Sequence, residues 1–304
     1  MKIAHILNPI NAHNRPELAY IQGITFLSLQ KALAYNKEGK VQIYSTQYPE
    51  DHKSIPNFVK KLPDLKRSVL DVNPKLNKRK LPLIADILTI AHQELHADYI
   101  IYTNIDIAVK PHFYAYVQKK IQEGYDAIVI NRRRIAWKKK KVYNLEEDIL
   151  EYFGAIGKSH PGFDCFVLKK ELLQKFILGN ICIGISFLET SIIHNIAAFA
   201  EKPIYVFDQD ITFHLGTEVL VSRRKNPFYW HNRTIYFREI QPQLKKYWSI
   251  KKFPYGEHSF LRRSISWTLN PSLFTRNFLE LEGKSCWQGL KMRLDELRWR
   301  VLQK

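Results

Sequence analysis

The sequence predicts an α/β fold. Short apolar runs of strand length recur along the chain and alternate with stretches of helical spacing. The first 45 residues read strand, helix, strand, and a β-α-β unit implies a parallel pair joined by a right-handed crossover. Polar clusters then recur where the predicted strands end, and strand-end loops are where α/β folds carry their sites.

The elements follow in order. Lys2 to Leu7 is a strand that stops at Asn8-Pro9. Ile24 to Tyr35 has helical spacing, with Ile24, Leu27, Leu29, Leu33 and Ala34 largely on one face. Val41 to Ser45 is the second strand. Gln47 to Lys80 is polar and rich in Pro and Lys, with a short helix predicted over Ile55 to Leu62. Leu81 to Ala91 reads as a helix with Pro82 in its first turn, and it feeds a strand over Asp98 to Ile107. Pro111 opens another helix, stopped by Gly124, and Ala127 to Asn131 is the next strand. Arg132-Arg-Arg134 and Lys138 to Lys141 form a basic loop. Leu145 to Tyr152 is a helix, Asp164 to Leu168 a strand and Glu171 to Phe176 a helix. An apolar helix, Phe187 to Phe199, precedes strands at Ile204 to Phe207 and Ile211 to His214. Beyond Thr217 the texture turns aromatic and basic, and Leu290 to Leu302 reads as an amphipathic helix.

The bulk numbers bound the class. With 304 residues, 45% of them hydrophobic, the chain can bury a large core. Cys165, Cys182 and Cys286 have no regular spacing, which excludes a disulfide framework and a four-cysteine zinc site and fits a reducing compartment. Met1 to Pro9 is too short in apolar residues for a leader. Phe176 to Ala200 carries one charge, Glu189, but Gly179, Asn180, Gly184 and His194 interrupt it before the ~20 apolar residues that a membrane span needs. These features predict a cytoplasmic protein. The net charge is +18, and residues 221–304 hold 18 Lys/Arg against 6 Asp/Glu. That imbalance suits an anionic partner, such as a lipid surface, nucleic acid or an acidic polymer.

Two motifs are set aside. Gly157-Lys-Ser159 and Gly283-Lys-Ser285 lack the upstream glycine of a P-loop, since Tyr152 and Phe278 stand there. His92-Gln-Glu-Leu-His96 puts two histidines on one helix face, but the glutamate sits at the middle position, in neither order used by zinc peptidases.

Chemistry concentrates at Asp98-Tyr-Ile-Ile-Tyr-Thr-Asn-Ile-Asp-Ile107. An apolar β-branched run ends abruptly in Asn104 and Asp106, and residues two apart on a strand project to the same side. One carboxylate plus substrate phosphates is a usual way to hold a hard divalent cation.

These residues resemble a known family. Tyr99 to Asp106 resembles the D-x-D region of nucleotide-sugar-dependent glycosyltransferases of the GT-A fold, family 2-like. Lys80-Leu-Pro-Leu-Ile-Ala-Asp86 is similar to the donor-side helix ahead of that turn. His160-Pro-Gly-Phe-Asp-Cys-Phe-Val167 resembles the acceptor-side loop and strand. Thr212-Phe-His-Leu-Gly216 looks like the late segment that brings a histidine to the metal. The resemblance spans residues 1–220 and implies a mixed, mostly parallel sheet flanked by helices, a nucleotide-sugar donor, and a divalent cation, Mn2+ or Mg2+. The departure is Asn104, which stands at the first acidic position and adds no charge, although its carbonyl can reach a ribose hydroxyl or a metal.

The resemblance implies roles. Asp106 is the main metal ligand and His214 a second, with Asn104 on ribose or metal. Arg132 or Arg133 would contact phosphate, and Pro9, Lys80 and Asp86 would lie near the nucleotide. An inverting transfer needs a carboxylate base, for which Asp164 is the first candidate and Glu189 the second. Residues 1–220 would be the nucleotide-sugar-binding catalytic domain. Residues 221–304 would form a basic aromatic-rich extension that completes the side for a glycan or lipid-linked acceptor or rests on anionic membrane lipid. Two alternatives are a basic nucleic-acid-binding protein, which leaves the acidic strand end unexplained, and a metal-dependent nucleotidyltransferase.

Overall fold

The computed structural model describes residues 1–37, 40–76, 79–137, 143–207, 209–216 and 226–269. In chain order the elements are β1 (Lys2–Leu7), α1 (Pro16–Tyr35), β2 (Lys40–Ser45), β3 (Lys60–Lys61), α2 (Val69–Val72), α3 (Ile84–Glu94), β4 (Tyr99–Thr103), β5 (Ile107–Val109) and α4 (Phe113–Gln122). They continue with β6 (Ala127–Ile135), α5 (Leu145–Gly154), β7 (Lys158–Lys169), α6 (Leu188–Phe199), β8 (Pro203–Val206), β9 (Thr212–Leu215), α7 (Pro227–Ile235), α8 (Gln241–Leu244) and α9 (Phe260–Leu269).

One sheet organises these elements. Its strands run β3-β2-β1-β4-β7-β6-β9-β5, with β8 also paired to β6. Five of the eight pairings are parallel, so the sheet is mixed and mostly parallel, as expected. β1, β2, β4 and β6 all end at the same edge, because β7 runs antiparallel between β4 and β6. The central strands are continuous apolar runs because both sheet faces are covered. Their alternate residues divide between two cores. Ala4, Ile6, Ile100, Tyr102, Val129 and Phe166 meet α3 and α6 on one face. Ile3, Leu7, Ile101, Ile128, Ile130 and Val167 meet α1 and α4 on the other. Each large side chain so buried contributes about 1.5–3 kcal/mol.

Several expectations need correction. The region from Asp98 to Ile107 is two strands broken by a turn at residues 104–106, closed by the Ile107 amide donating to the Asn104 carbonyl. Asn104 and Asp106 are therefore placed by a turn and not by strand periodicity, and each faces a different partner. The helix expected over Ile55 to Leu62 is instead a 3-10 turn at Pro49–Ser54 followed by β3. α3 starts at Ile84, not Pro82, because Leu83 is extended and bridges Cys182 while the Ile84 amide donates to the Ile181 carbonyl. Glu171 to Phe176 forms a 3-10 turn, Lys170–Lys175. The Arg132–Arg134 triplet is not loop but the last part of β6. Cys286 and the helix expected over Leu290 to Leu302 lie outside the described residues.

The described part of the basic, aromatic segment, residues 226–269, packs on the main body. Tyr229, Trp230, Tyr236, Ile240, Leu244, Phe253 and Trp267 belong to the same core as Ile84 and Ile100. The Trp267 indole, fully buried, donates to the Pro254 carbonyl at 2.8 Å. His194 of α6 meets Tyr236, Trp248 and Phe253 edge-on. Among the described residues no helix is long and apolar enough to cross a membrane.

Candidate active site

The site is assembled where β4 ends, beside the middle of β7 and the later part of β6. Thr103 pairs with Cys165 and Ile130 with the same Cys165, so Asn104 and Asp164 emerge side by side at the sheet edge. The Asn104 side-chain amide donates to Asp164 Oδ1 at 3.2 Å. Arg132 donates to the other oxygen, Asp164 Oδ2, and both side chains are largely buried. Tyr102 donates its hydroxyl to Asn104 Oδ1 at 3.2 Å. Burial, aided by the charges of Asp106 and Asp164, raises the Tyr102 pKa far above the ordinary phenol value and keeps it a donor.

Asp106 faces a different partner. β5 pairs with β9 so that Ile107 lies opposite His214, and His214 Nε2 stands 3.2 Å from Asp106 Oδ2. Asp106 is 36% exposed and His214 15%. Burial works to raise the Asp106 pKa, but the hydrogen bond and charge of His214, together with the charge of Arg132, outweigh it and hold the carboxyl below its usual value. An ionised carboxylate beside an imidazole nitrogen, near the Asn104 amide, is a donor set suited to a divalent cation. Among the described residues no group of three or more His, Cys, Asp or Glu side chains comes together, so a cation held here would draw its remaining ligands from substrate oxygens and water. His214 Nδ1 is buried without a hydrogen-bond partner among the described residues.

Glu189 lies next along the edge. It opens α6, and its Oε1 accepts the Phe163 backbone N–H at 2.9 Å, one residue before Asp164. The preceding Phe187 has a left-handed backbone (φ 78°), a conformation that costs a non-glycine residue on the order of 1–3 kcal/mol. Tyr229, Tyr236 and Phe237 pack around the Phe187 ring, so the aromatic C-terminal segment holds the entry to α6 in place. The expected His160-Pro-Gly turn is instead an irregular stretch inside β7, where the register against β6 shifts and the Gly162 amide donates to His160 Nδ1 at 2.9 Å. A Cβ at position 162 would stand 2.7 Å from the His160 ring, so this stretch needs glycine.

Other expected residues lie apart from this cluster. Pro9 is buried at the end of β1, where the Asn8 amide donates to the Thr46 carbonyl. Lys80 pairs with Glu50 at 2.7 Å and sits 3.7 Å over the Tyr48 ring. Asp86 takes a two-pronged hydrogen bond from Arg67. Lys80 and Asp86 thus belong to a separate patch beyond β2. Arg133 departs from Arg132, since its Nε donates to the Gly157 carbonyl at 2.7 Å. Sequence reasoning missed Tyr102, whose hydroxyl was hidden inside an apolar run.

No protein-family model matches the chain, and no curated protein matches it. Among solved structures, the chain is similar to S. aureus TarS 1-349 in complex with UDP-GlcNAc, with a TM-score of 0.46 and 11% identity over 87% of this chain and 70% of that one. It is also similar to the mannosyltransferase PcManGT from Pyrobaculum calidifontis in complex with GDP-Man and Mn2+, with a TM-score of 0.48 and 12% identity over 88% of this chain and 70% of that one. At these values the likeness assigns this chain neither a family nor an activity.

Proposed function

We propose that this chain is a glycosyltransferase that moves a sugar, of the hexosyl type, from a nucleotide-sugar donor to a glycan or lipid-linked acceptor, as in polysaccharide biosynthesis. The observation that carries the reading is the joining of Tyr102, Asn104, Asp164 and Arg132 into one hydrogen-bonded chain beside the Asp106–His214 pair, at the carboxyl edge of a mostly parallel sheet.

In this reading Asp106 and His214 hold a divalent cation, Mn2+ or Mg2+, with Asn104 reaching it or the donor ribose. The cation would supply neutralisation of the charge that builds on the departing diphosphate. Asp164 is engaged on both oxygens, by Asn104 and by Arg132, and this suits an orienting carboxylate better than a proton acceptor. We give the base role to Glu189, which accepts the neutral Phe163 amide, and the positioning role to Asp164, which is tied to the Arg132 cation. As the acceptor oxygen bonds to the anomeric carbon and the bond to diphosphate breaks, Glu189 would take the acceptor proton. Arg132 orients Asp164, and Arg133, turned toward Gly157, becomes a structural residue. Pro9, buried behind the end of β1, and Lys80 and Asp86, in the patch beyond β2, would stand toward the nucleoside end. Residues 1–220 would carry the donor chemistry and residues 221–304 the acceptor side, with their basic excess available to an anionic membrane surface.

Thermal melting across UDP-, GDP-, CMP- and TDP-linked sugars, each with and without Mn2+, tests the proposal. Ligands that bind only the folded state raise the melting temperature, so one donor class should stabilise the protein selectively and more so with metal. No shift with any of them would remove the reading. Analysis of the released product, nucleoside diphosphate against pyrophosphate, separates sugar transfer from nucleotidyl transfer.

A further inference from the structure

Three adjacent strands place a cationic row beside the Asp106–His214 pair. Arg134 of β6 lies opposite Lys158 of β7 on one side and opposite His214 of β9 on the other. Directly paired residues of a ladder project from the same face, with Cβ atoms about 4.5–5.5 Å apart. Lys158, Arg134 and His214 therefore stand in line, and the line ends at Asp106 through the 3.2 Å contact with His214. The alternate residues leave by the other face, where Ile135, Phe213 and Leu215 share a small core.

The row carries two cations and is uncompensated among the described residues. Like charges directly opposite in a sheet destabilise it. The acid at the end of the row, Asp106, is already held by His214, and Asp164 is held by Arg132. Neither Arg134 nor Lys158 forms an ion pair among the described residues. Lys158 is exposed, as an ordinary solvated lysine would be, but Arg134 is not so easily explained. Its Nε is shut off from solvent and has no hydrogen-bond partner among the described residues. A buried donor left without an acceptor is costly, and more so on a charged group. The Arg132 Nε is buried without a partner as well, but Arg132 donates from another guanidinium nitrogen to Asp164 and Arg133 donates to Gly157, whereas the Arg134 side chain has no acceptor among the described residues.

We infer that Arg134 and Lys158, next to His214, form a phosphoryl-anion subsite that takes a diphosphate ester. The planar guanidinium can grip two oxygens of one phosphoryl group, and the flexible lysine can follow the second as a point charge. Such an anion would satisfy the orphaned Nε, relieve the repulsion between the two cations and lie within reach of a cation at Asp106. Which diphosphate is bound, the donor's leaving group or that of a lipid-linked acceptor, rests on the transfer reading above. The anion site itself does not.

Calorimetric titration of the metal-free protein with inorganic pyrophosphate tests the subsite directly. Wild type should bind it. Arg134→Ala should weaken binding about tenfold, the scale of one charge-assisted hydrogen bond. Lys158→Ala, at an exposed position that tolerates truncation, should weaken it about threefold, by less because its charge is solvated. Arg133→Ala should leave it unchanged. Parallel titrations with UDP or GDP and with geranyl diphosphate identify the source. A loss confined to the nucleotides places the donor's diphosphate at the row, and a loss confined to the prenyl compound places the acceptor's there. Absence of pyrophosphate binding by wild type overturns the inference, as does unchanged binding in Lys158→Ala and in a folded Arg134→Ala. Pyrophosphate binding without any nucleotide-sugar binding would instead remove the transfer reading and leave the subsite standing.

Discussion

Asn104 and Asp164 are sixty residues apart in sequence and are joined by a 3.2 Å hydrogen bond from the Asn104 amide to Asp164 Oδ1. The bond orients both groups. It fixes the Asn104 carbonyl toward Tyr102 and leaves Asp164 presenting its second oxygen to Arg132. An aspartate at position 104 would put a second carboxylate against Asp164, so the asparagine suits this edge.

That arrangement separates two carboxylates by kinetics. Glu189→Gln should lower kcat by about 10²–10⁴, the usual contribution of a general base, with KM for the donor little changed. Asp164→Asn should chiefly raise donor KM, because it loosens Asn104 and Arg132. Steady-state assays with the donor selected by thermal melting check this, and the reverse pattern would return the base role to Asp164.

Acid should destabilise the protein through two buried histidines. Burial lowers the pKa of both His5 and His194 to about 3. The unfolded chain takes up these protons near pH ~6.5, so between pH 3 and 6.5 it binds more protons than the folded one. Stability is then full above pH ~6.5 and falls below it, by up to about 1.4 kcal/mol per pH unit for each histidine. Urea unfolding at pH 7.5 and 5.5 measures the slope. His194→Gln should flatten it even while lowering stability at pH 7.5, and parallel slopes would contradict the assignment.

The C-terminal aromatic segment should behave as core. Trp267→Ala removes a fully buried indole and its bond to Pro254, and should cost about 3–5 kcal/mol in one cooperative transition. Urea melts followed by circular dichroism check this. A second, separate transition would show that the segment folds by itself.

The central strands were legible because each is a continuous apolar run, and Asn104 and Asp106 were legible because such a run ends in them. Their geometry was not. A strand continuing through Ile107 and a turn at 104–106 share the same letters, and what settles the matter is β5 leaving to pair with β9. Arg132 to Arg134 read as loop because three charges rarely sit in a buried strand. Here they extend past the covered part of β6, and each finds a different environment. The cationic row and the Asp106–His214 pair are products of register across distant strands, which local pattern does not encode. The composition after residue 220 left open whether that stretch packs on the main body. Its described part, residues 226–269, does, since the rings of Tyr229, Tyr236 and Trp267 enter the core that covers α6.

Calorimetric titration of Mn2+ into the protein with a saturating nucleoside diphosphate, for wild type and Asp106→Ala, tests the central claim most directly. Wild type should bind about one ion, and Asp106→Ala should lose that binding while keeping the wild-type fold by circular dichroism. Equal Mn2+ affinity in the two proteins would contradict the assignment of Asp106 as the residue that holds the cation.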